Sequence, residues 1–247
     1  TPPKMVPSAL ASFGNVSCRM TGMCVCGGPV FTCCERAAQI SVCDGGPVCI
    51  AFLHREGQIV PAAAPPMRIV VHGGAGHTSE VQDGVETAAD VGWKLLDEGA
   101  DAISAAVATV VVLEDDSRFN AGTGACLRAD GSVQADAAVA CNDGRLGTVA
   151  ALEDIANPVQ VARLVMDEDF DALAGKGALD YARSRGVTPA AVTGSEKPWA
   201  GDTVGAVAQD SSGAIAVASS TGGVSGRLAG RVGDTPRWGG GLWTDAG

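Results

Sequence analysis

Thr203 heads a run of small and β-branched residues, Thr203-Val204-Gly205-Ala206-Val207-Ala208, that reads as a strand. Asp210-Ser211-Ser212-Gly213 then supplies turn chemistry, and Ile215 and Val217 resume the pattern. A β-hairpin is therefore expected from Thr203 to Ser219-Ser220-Thr221-Gly222-Gly223. A threonine hydroxyl needs a base beside it to become a nucleophile. One source is its own α-amine, set free when the preceding peptide bond is cut. With an ordinary pKa of about 7.7–8.0, that amine accepts the hydroxyl proton at neutral pH without a histidine. The plain alternative is a strand residue chosen for β-propensity, and spacing alone leaves both readings standing.

Thr221 follows just ahead of a Gly-Gly pair that permits close backbone approach. Gly230-Arg231-Val232-Gly233-Asp234 then places a cation and an anion in one glycine-rich loop. Such a pair suits an amino-acid-like ligand, Arg231 gripping an α-carboxylate and Asp234 accepting from an α-ammonium. A surface ion pair of little energetic value is the other reading.

These three stretches resemble the plant-type L-asparaginase/isoaspartyl peptidase family. So do Val71-His72-Gly73-Gly74-Ala75-Gly76 and Leu113-Glu114-Asp115-Asp116-Ser117-Arg118-Phe119-Asn120-Ala121-Gly122, in the same order along the chain. The resemblance runs from about residue 67 to 247. It implies an α+β fold, the four-layer αββα sandwich of N-terminal-nucleophile hydrolases, made as a precursor that cleaves itself between Asp202 and Thr203. Thr203 would then be nucleophile and new N-terminus, Thr221 would hydrogen-bond and tune it, and Asn120 would lie near the active site. Arg231 and Asp234 would hold the α-carboxylate and α-amine of a substrate such as L-asparagine, an isoaspartyl peptide or glycosylasparagine. Backbone carbonyls of the loop holding Leu113, Glu114 and Phe119 would wrap a structural sodium ion, with no cofactor for catalysis. The resemblance also implies a dimer of processed heterodimers.

The chain has 247 residues and 46% hydrophobic content, enough for a sizeable core, and a net charge of −11. That acidity argues against a nucleic-acid partner, which calls for a basic footprint. No apolar run approaches the roughly 18 residues of a membrane span, and no secretory signal opens the chain. A cytoplasmic location is the expectation. Residues 1–66 differ from the rest. Seven cysteines (Cys18, Cys24, Cys26, Cys33, Cys34, Cys43, Cys49) lie there, in spacings poor for chelation and odd in number for disulfides. His54 reads as an exposed histidine, and the sequon at Asn15 as accidental. With the linker-like Pro61-Ala62-Ala63-Ala64-Pro65-Pro66 at its end, this part reads as an upstream extension. The expected division is 1–66, then 67–202 as α-subunit part, then 203–247 as the start of a β-subunit.

The positioning elements follow from pattern. Ile69–Val71 is a short buried strand running into a glycine turn, which also resembles the phosphate loop of amino-acid kinases. Residues 80–98 read as an amphipathic helix stopped by Gly99, and Asp101 as the N-cap of a very apolar helix from Ala102 to Leu113. Small residues there (Ala105, Ala106, Ala108) let it lie close to a sheet. Glu114-Asp115-Asp116 reads as a solvated loop. Residues 126–129 and 133–140 flank Asp130-Gly131-Ser132 as a second hairpin, with Gln134 to Ala138 half-buried. Asn157-Pro158 reads as N-cap and N1 of a helix, and 172–185 as another closed by Gly186. Residues 187–202 read as the exposed loop that self-cleavage requires.

Two departures from the family pattern matter. Asp202 stands where this branch often has glycine; an Asp-Thr junction resembles the related glycosylasparaginases. The chain also stops at Gly247, short of the Thr-Gly pair that completes the family's oxyanion hole, so a C-terminally truncated sandwich is expected. An uncleaved, inactive scaffold is the alternative to the enzyme.

Overall fold

Alternate residues of the central strands serve two different cores, which explains why those strands are apolar throughout. In this computed structural model, side chains are described for residues 65–75, 79–197 and 202–245, and backbone alone for 10–13, 16–20, 39–40 and 50–53. The cysteine side chains of 1–66, His54, the Asn15 sequon, residues 61–64, Gly76 and Gly201 lie outside the described residues.

The strands are β1 (Leu10–Phe13), β2 (Val16–Met20), β3 (Gln39–Ile40), β4 (Ile50–Leu53), β5 (Arg68–His72), β6 (Ala135–Cys141), β7 (Leu146–Leu152), β8 (Ala172–Ala174), β9 (Asp202–Gln209), β10 (Ile215–Gly223) and β11 (Leu242–Thr244). The helices are α1 (Gln82–Asp97), α2 (Ala102–Asp115), α3 (Pro158–Val165) and α4 (Gly175–Ser184). Eight strands form one sheet in the order β3-β4-β5-β9-β10-β6-β7-β8, and β1-β2-β11 form a second. Val204, Ala206 and Ala208 face the helical core with Val85, Leu96, Val110 and Val161. Val207, Ile215 and Val217 point to the other face, where Leu242 of β11 joins them. The fold is an α+β sandwich: a helical layer, the main sheet, and a second sheet behind it. No second helical layer is seen among the described residues.

Coverage of both faces corrects one expectation. β6 is buried along its whole length, not half-buried, because the helices close one side and the second sheet the other. The expected hairpin around Asp130-Gly131-Ser132 is reduced to a single bridge, Leu127 to Val133, and β6 pairs instead with β7 and β10.

The hairpin headed by Thr203 is as expected, β9 and β10 joined by the 210–214 turn. Asp210 organises that turn, its Oδ1 accepting from Ser212 N at 2.9 Å, while Oδ2 accepts from Ala102 N at 3.0 Å. One carboxylate thus ties the hairpin tip to the start of α2. Asp101 caps α2 through Ser104 N at 2.7 Å. Asn157, expected to cap α3, makes no cap bond; its Nδ2 donates to Asp115 Oδ1 at 2.9 Å. Residues 172–174, expected to open a helix, form β8, drawn into parallel pairing with β7 before α4 begins.

Close approach of α1 to α2 rests on Gly92. A Cβ there would lie 2.1 Å from Thr109 Oγ1 and 2.2 Å from Ile69 Cδ1, so any side chain would push the helices off β5. No helix among the described residues is long and apolar enough to cross a membrane.

Candidate active site at the head of β9

The pairing of β9 with β10 slips beside Thr203. Ser220 pairs with Val204 and Gly223 with Asp202, so β10 carries one extra residue across from Thr203. This bulge turns Thr221 toward the peptide linking Asp202 to Thr203. The Thr221 hydroxyl donates a short hydrogen bond to the carbonyl oxygen of Asp202, and itself accepts from Gly223 N at 2.9 Å.

A second donor reaches the same oxygen. Asn120 Nδ2 lies 3.5 Å from Asp202 O and donates to Gly223 O at 2.7 Å. Its Oδ1 accepts from Cys126 N at 3.1 Å, and its backbone carbonyl accepts from Gly222 N at 2.8 Å. Asn120 is 1% exposed, so these bonds fix its amide in one orientation. Gly222 is required there, because a Cβ would stand 2.5 Å from Asn120 Oδ1. Two donors on one carbonyl oxygen are the arrangement that stabilises negative charge developing on it.

The groups around Thr203 complete the site. Its backbone N–H donates to Asp202 Oδ1 at 3.1 Å. The Asp202 carboxylate packs onto Gly74, where an added Cβ would sit 1.7 Å from Oδ1 and φ is +105°. Glycine at 74 is therefore demanded by Asp202 itself. On the neighbouring strand, His72 reaches the Thr203 backbone, and burial pushes its imidazole down to about 4 against that hydrogen bond. On the far side Thr203 Oγ1 meets Thr235 Oγ1 at 3.1 Å.

The depressed His72 value carries a pH prediction. The unfolded imidazole, with its ordinary pKa of about 6.5, binds a proton that the folded one refuses. Stability is therefore full above pH 6.5 and falls as pH drops toward about 4. Each pH unit inside that window costs about 1.4 kcal/mol. His72→Gln should flatten the dependence of Tm on pH between those limits; an unchanged slope would assign the effect elsewhere.

Arg231 and Asp234 sit exposed on the loop after β10. The Arg231 guanidinium folds over Gly233, its Nη1 3.3 Å from where a Cβ would stand. Two side chains anchor this loop to β6 and its approach: Asp136 Oδ2 accepts from Gly233 N at 3.1 Å, and Gln134 Oε1 from Gly230 N at 2.6 Å. Asp136 Oδ1 also takes Ala151 N at 2.8 Å. Burial raises the Asp136 carboxyl against those two N–H donors and the nearby Arg128 and Arg231. The loop thus carries the expected substrate groups outward at Arg231 and Asp234 and turns Thr235 inward.

Glu114 corrects another expectation. It is fully buried, not solvated, at the end of α2. Its Oε1 accepts from Val159 N at 3.0 Å, and Oε2 has no hydrogen-bond partner among the described residues. Burial pushes its carboxyl up to about 8, so it is protonated at neutral pH. Its backbone carbonyl accepts the Thr123 hydroxyl at 2.8 Å. A Cβ on Gly122 would come within 2.5 Å of that carbonyl, and one on Gly124 within 2.0 Å of Phe119 O and 2.6 Å of Ser117 O. The carbonyl oxygens of Glu114, Ser117 and Phe119 thus face Gly122 and Gly124, and carbonyl oxygen is the donor type suited to a hard cation.

Sequence reasoning placed Thr203, Thr221, Asn120 and Asp202, and these four come together. It missed Thr235, and it named His72 and Asp136 without giving either a role at the site. The only signal for Thr235 was its place directly after Asp234. Asp136 looked like one polar position in an alternating strand.

A comparison with known proteins bears on the same residues. The chain matches the asparaginase family over residues 65–195 and 189–247, which takes in every site residue named above. The chain belongs to the asparaginase family. This family membership accounts for the α+β sandwich of an N-terminal-nucleophile hydrolase. Relatives include a zebrafish (Danio rerio) protein named isoaspartyl peptidase/L-asparaginase, 42% identical over 207 residues, 72% of this chain and 66% of that one. A rat (Rattus norvegicus) protein of the same name is 38% identical over 208 residues, covering 72% of this chain and 62% of its own length. A plant-type L-asparaginase of Pyrococcus horikoshii is 37% identical over 215 residues, with 72% and 70% covered. The chain thus spans 66% and 62% of the zebrafish and rat relatives.

Proposed function

We propose that this asparaginase-family chain is a threonine hydrolase that first cleaves itself before Thr203 and then hydrolyses the side-chain amide of L-asparagine and β-aspartyl peptide bonds. The observation that carries the reading is the Asp202 carbonyl oxygen held by the Thr221 hydroxyl and the Asn120 amide, with Thr203 beside it.

In the first reaction, Thr203 Oγ1 attacks the Asp202 carbonyl carbon. Charge gathers on the oxygen that Thr221 and Asn120 hold, the C–N bond breaks, and the hydroxyl proton ends on the Thr203 nitrogen. Water hydrolyses the resulting ester, leaving an Asp202 carboxylate and a free Thr203 amine. In this reading the Asp202 side chain, whose Oδ1 accepts from Thr203 N, assists as a local base. In the second reaction the free amine takes the Thr203 hydroxyl proton. Oγ1 then attacks the substrate carbonyl, ammonia or an amine leaves with that proton, and water releases aspartate from the ester.

Arg231 takes the substrate α-carboxylate and Asp234 the α-amine. Arg231→Met should raise KM for L-asparagine about tenfold or more, since charged hydrogen bonds are worth about 1.5–3 kcal/mol, with a smaller effect on kcat. Ammonia release from L-asparagine, measured beside hydrolysis of a β-aspartyl dipeptide, tests the reading. Turnover of neither substrate by chains cut before Thr203 would contradict it.

Backbone carbonyls of Leu113, Glu114 and Phe119 would hold a structural sodium ion; the Glu114 and Phe119 carbonyls described above support this reading. The division at 66/67 is supported by a family match that begins at residue 65. Against dispensability of 1–66, β4 pairs with β5 and so covers an edge of the main sheet. Assembly as a dimer of processed heterodimers completes the reading.

A further inference from the structure

We infer that Thr235 is a positioning residue for the nucleophile, holding the Thr203 hydroxyl in place through a direct side-chain hydrogen bond. This rests on the reading of Thr203 as nucleophile and extends it to a residue outside the family motifs that identified the site. The two Oγ1 atoms lie 3.1 Å apart, across 32 residues of chain, and Thr235 is 1% exposed.

The surroundings leave Thr235 little freedom. Gly230 and Gly233 are fastened by Gln134 and Asp136. Behind Thr235 the backbone returns at Gly241, where a Cβ would lie 2.4 Å from Thr235 Cα and 2.3 Å from Asp234 O. Asp234 and Thr235 are consecutive, one exposed and the other buried. One short segment therefore presents the group that reads a substrate amine on one side and grips the nucleophile on the other.

A neutral hydroxyl at this place cannot act as the base, since it is far too weak a proton acceptor. As an acceptor it fixes the direction of the Thr203 O–H; as a donor it steadies Oγ1 once that proton is withdrawn. Either role holds Thr203 in the one rotamer that makes this bond, because a freely rotating side chain would spend time in other staggered wells.

The test compares Thr235→Val, which keeps shape and loses the hydroxyl, with Thr235→Ser, which keeps the hydroxyl. Self-cleavage of the full chain is followed by intact mass across pH. Thr235→Val should slow cleavage about three- to tenfold, the worth of one neutral hydrogen bond, with the pH profile unmoved, while Thr235→Ser stays within about twofold of wild type. Valine cleaving at the wild-type rate, or serine as slow as valine, would overturn the proposal. A denaturation cycle on uncleaved chains separates this from the underlying reading. Thr203→Val and Thr235→Val, singly and together, should shift the urea midpoint non-additively even if no variant cleaves; additive shifts would overturn the bond itself. A wild-type chain that never cleaves would instead count against Thr203 as nucleophile.

Discussion

Thr203→Ala chains are expected to stay whole and to hydrolyse neither L-asparagine nor a β-aspartyl dipeptide. Removal of an attacking hydroxyl in comparable covalent hydrolases costs on the order of 10⁶ in kcat. In the proposed mechanism the loss is doubled in kind, because there the same oxygen opens the precursor and attacks the substrate. The fold should survive. Thr203 is a half-buried residue at the head of β9, its Oγ1 bonded only to Thr235 among the bonds described above, and alanine is tolerated in a strand that already reads Gly205-Ala206. Thr203→Ser keeps the hydroxyl and should keep both reactions, more slowly where the lost methyl frees the side chain. Intact mass and ammonia release check both variants. Activity remaining in Thr203→Ala would move the nucleophile elsewhere.

The second large effect is expected at the two donors to the Asp202 carbonyl. Thr221→Val removes the hydroxyl while keeping shape, and should slow self-cleavage by about 10²–10³, the usual cost of losing one oxyanion donor. Asn120→Ala should slow it as well, with an added structural cost. Its Oδ1 holds Cys126 N, and its Nδ2 holds Gly223 O at the bulge. A loss of Tm in Asn120→Ala beyond that of Thr221→Val would distinguish the two roles. Equal cleavage rates in wild type and Thr221→Val would remove the carbonyl clamp from the mechanism.

Much of this site was legible because it is built from local chemistry. The Thr203 hairpin follows from a β-branched run and an Asp-Ser-Ser-Gly turn; Asp101 follows from helix capping. Each needs only residues close in sequence. What escaped was decided by tertiary contact. Glu114 reads as part of a solvated acidic run, yet α2 carries it under α3, where it caps that helix through Val159 N in place of Asn157. Residues 172–174 have helical composition but meet the open edge of β7. The half-buried reading of β6 failed because a second sheet, partly built from residues far upstream, closes its other face. Thr235 carried no periodic signal, and only the returning loop brings it to Thr203.

The bulge in β10 belongs to the same class. Ser219-Ser220-Thr221-Gly222-Gly223 announces a place where backbone comes close, and Gly223 has φ +81°. Nothing in the letters says that the slip falls across from Thr203. That one-residue slip is what turns Thr221 toward the Asp202 carbonyl instead of leaving it as an ordinary cross-strand neighbour.

The most direct measurement is intact mass with N-terminal sequencing of the wild-type chain after incubation at neutral pH. Two fragments, the second beginning Thr203-Val204-Gly205, are expected. A single uncut chain that retains its folded spectrum would contradict the assignment of Thr203 as an autocatalytic nucleophile.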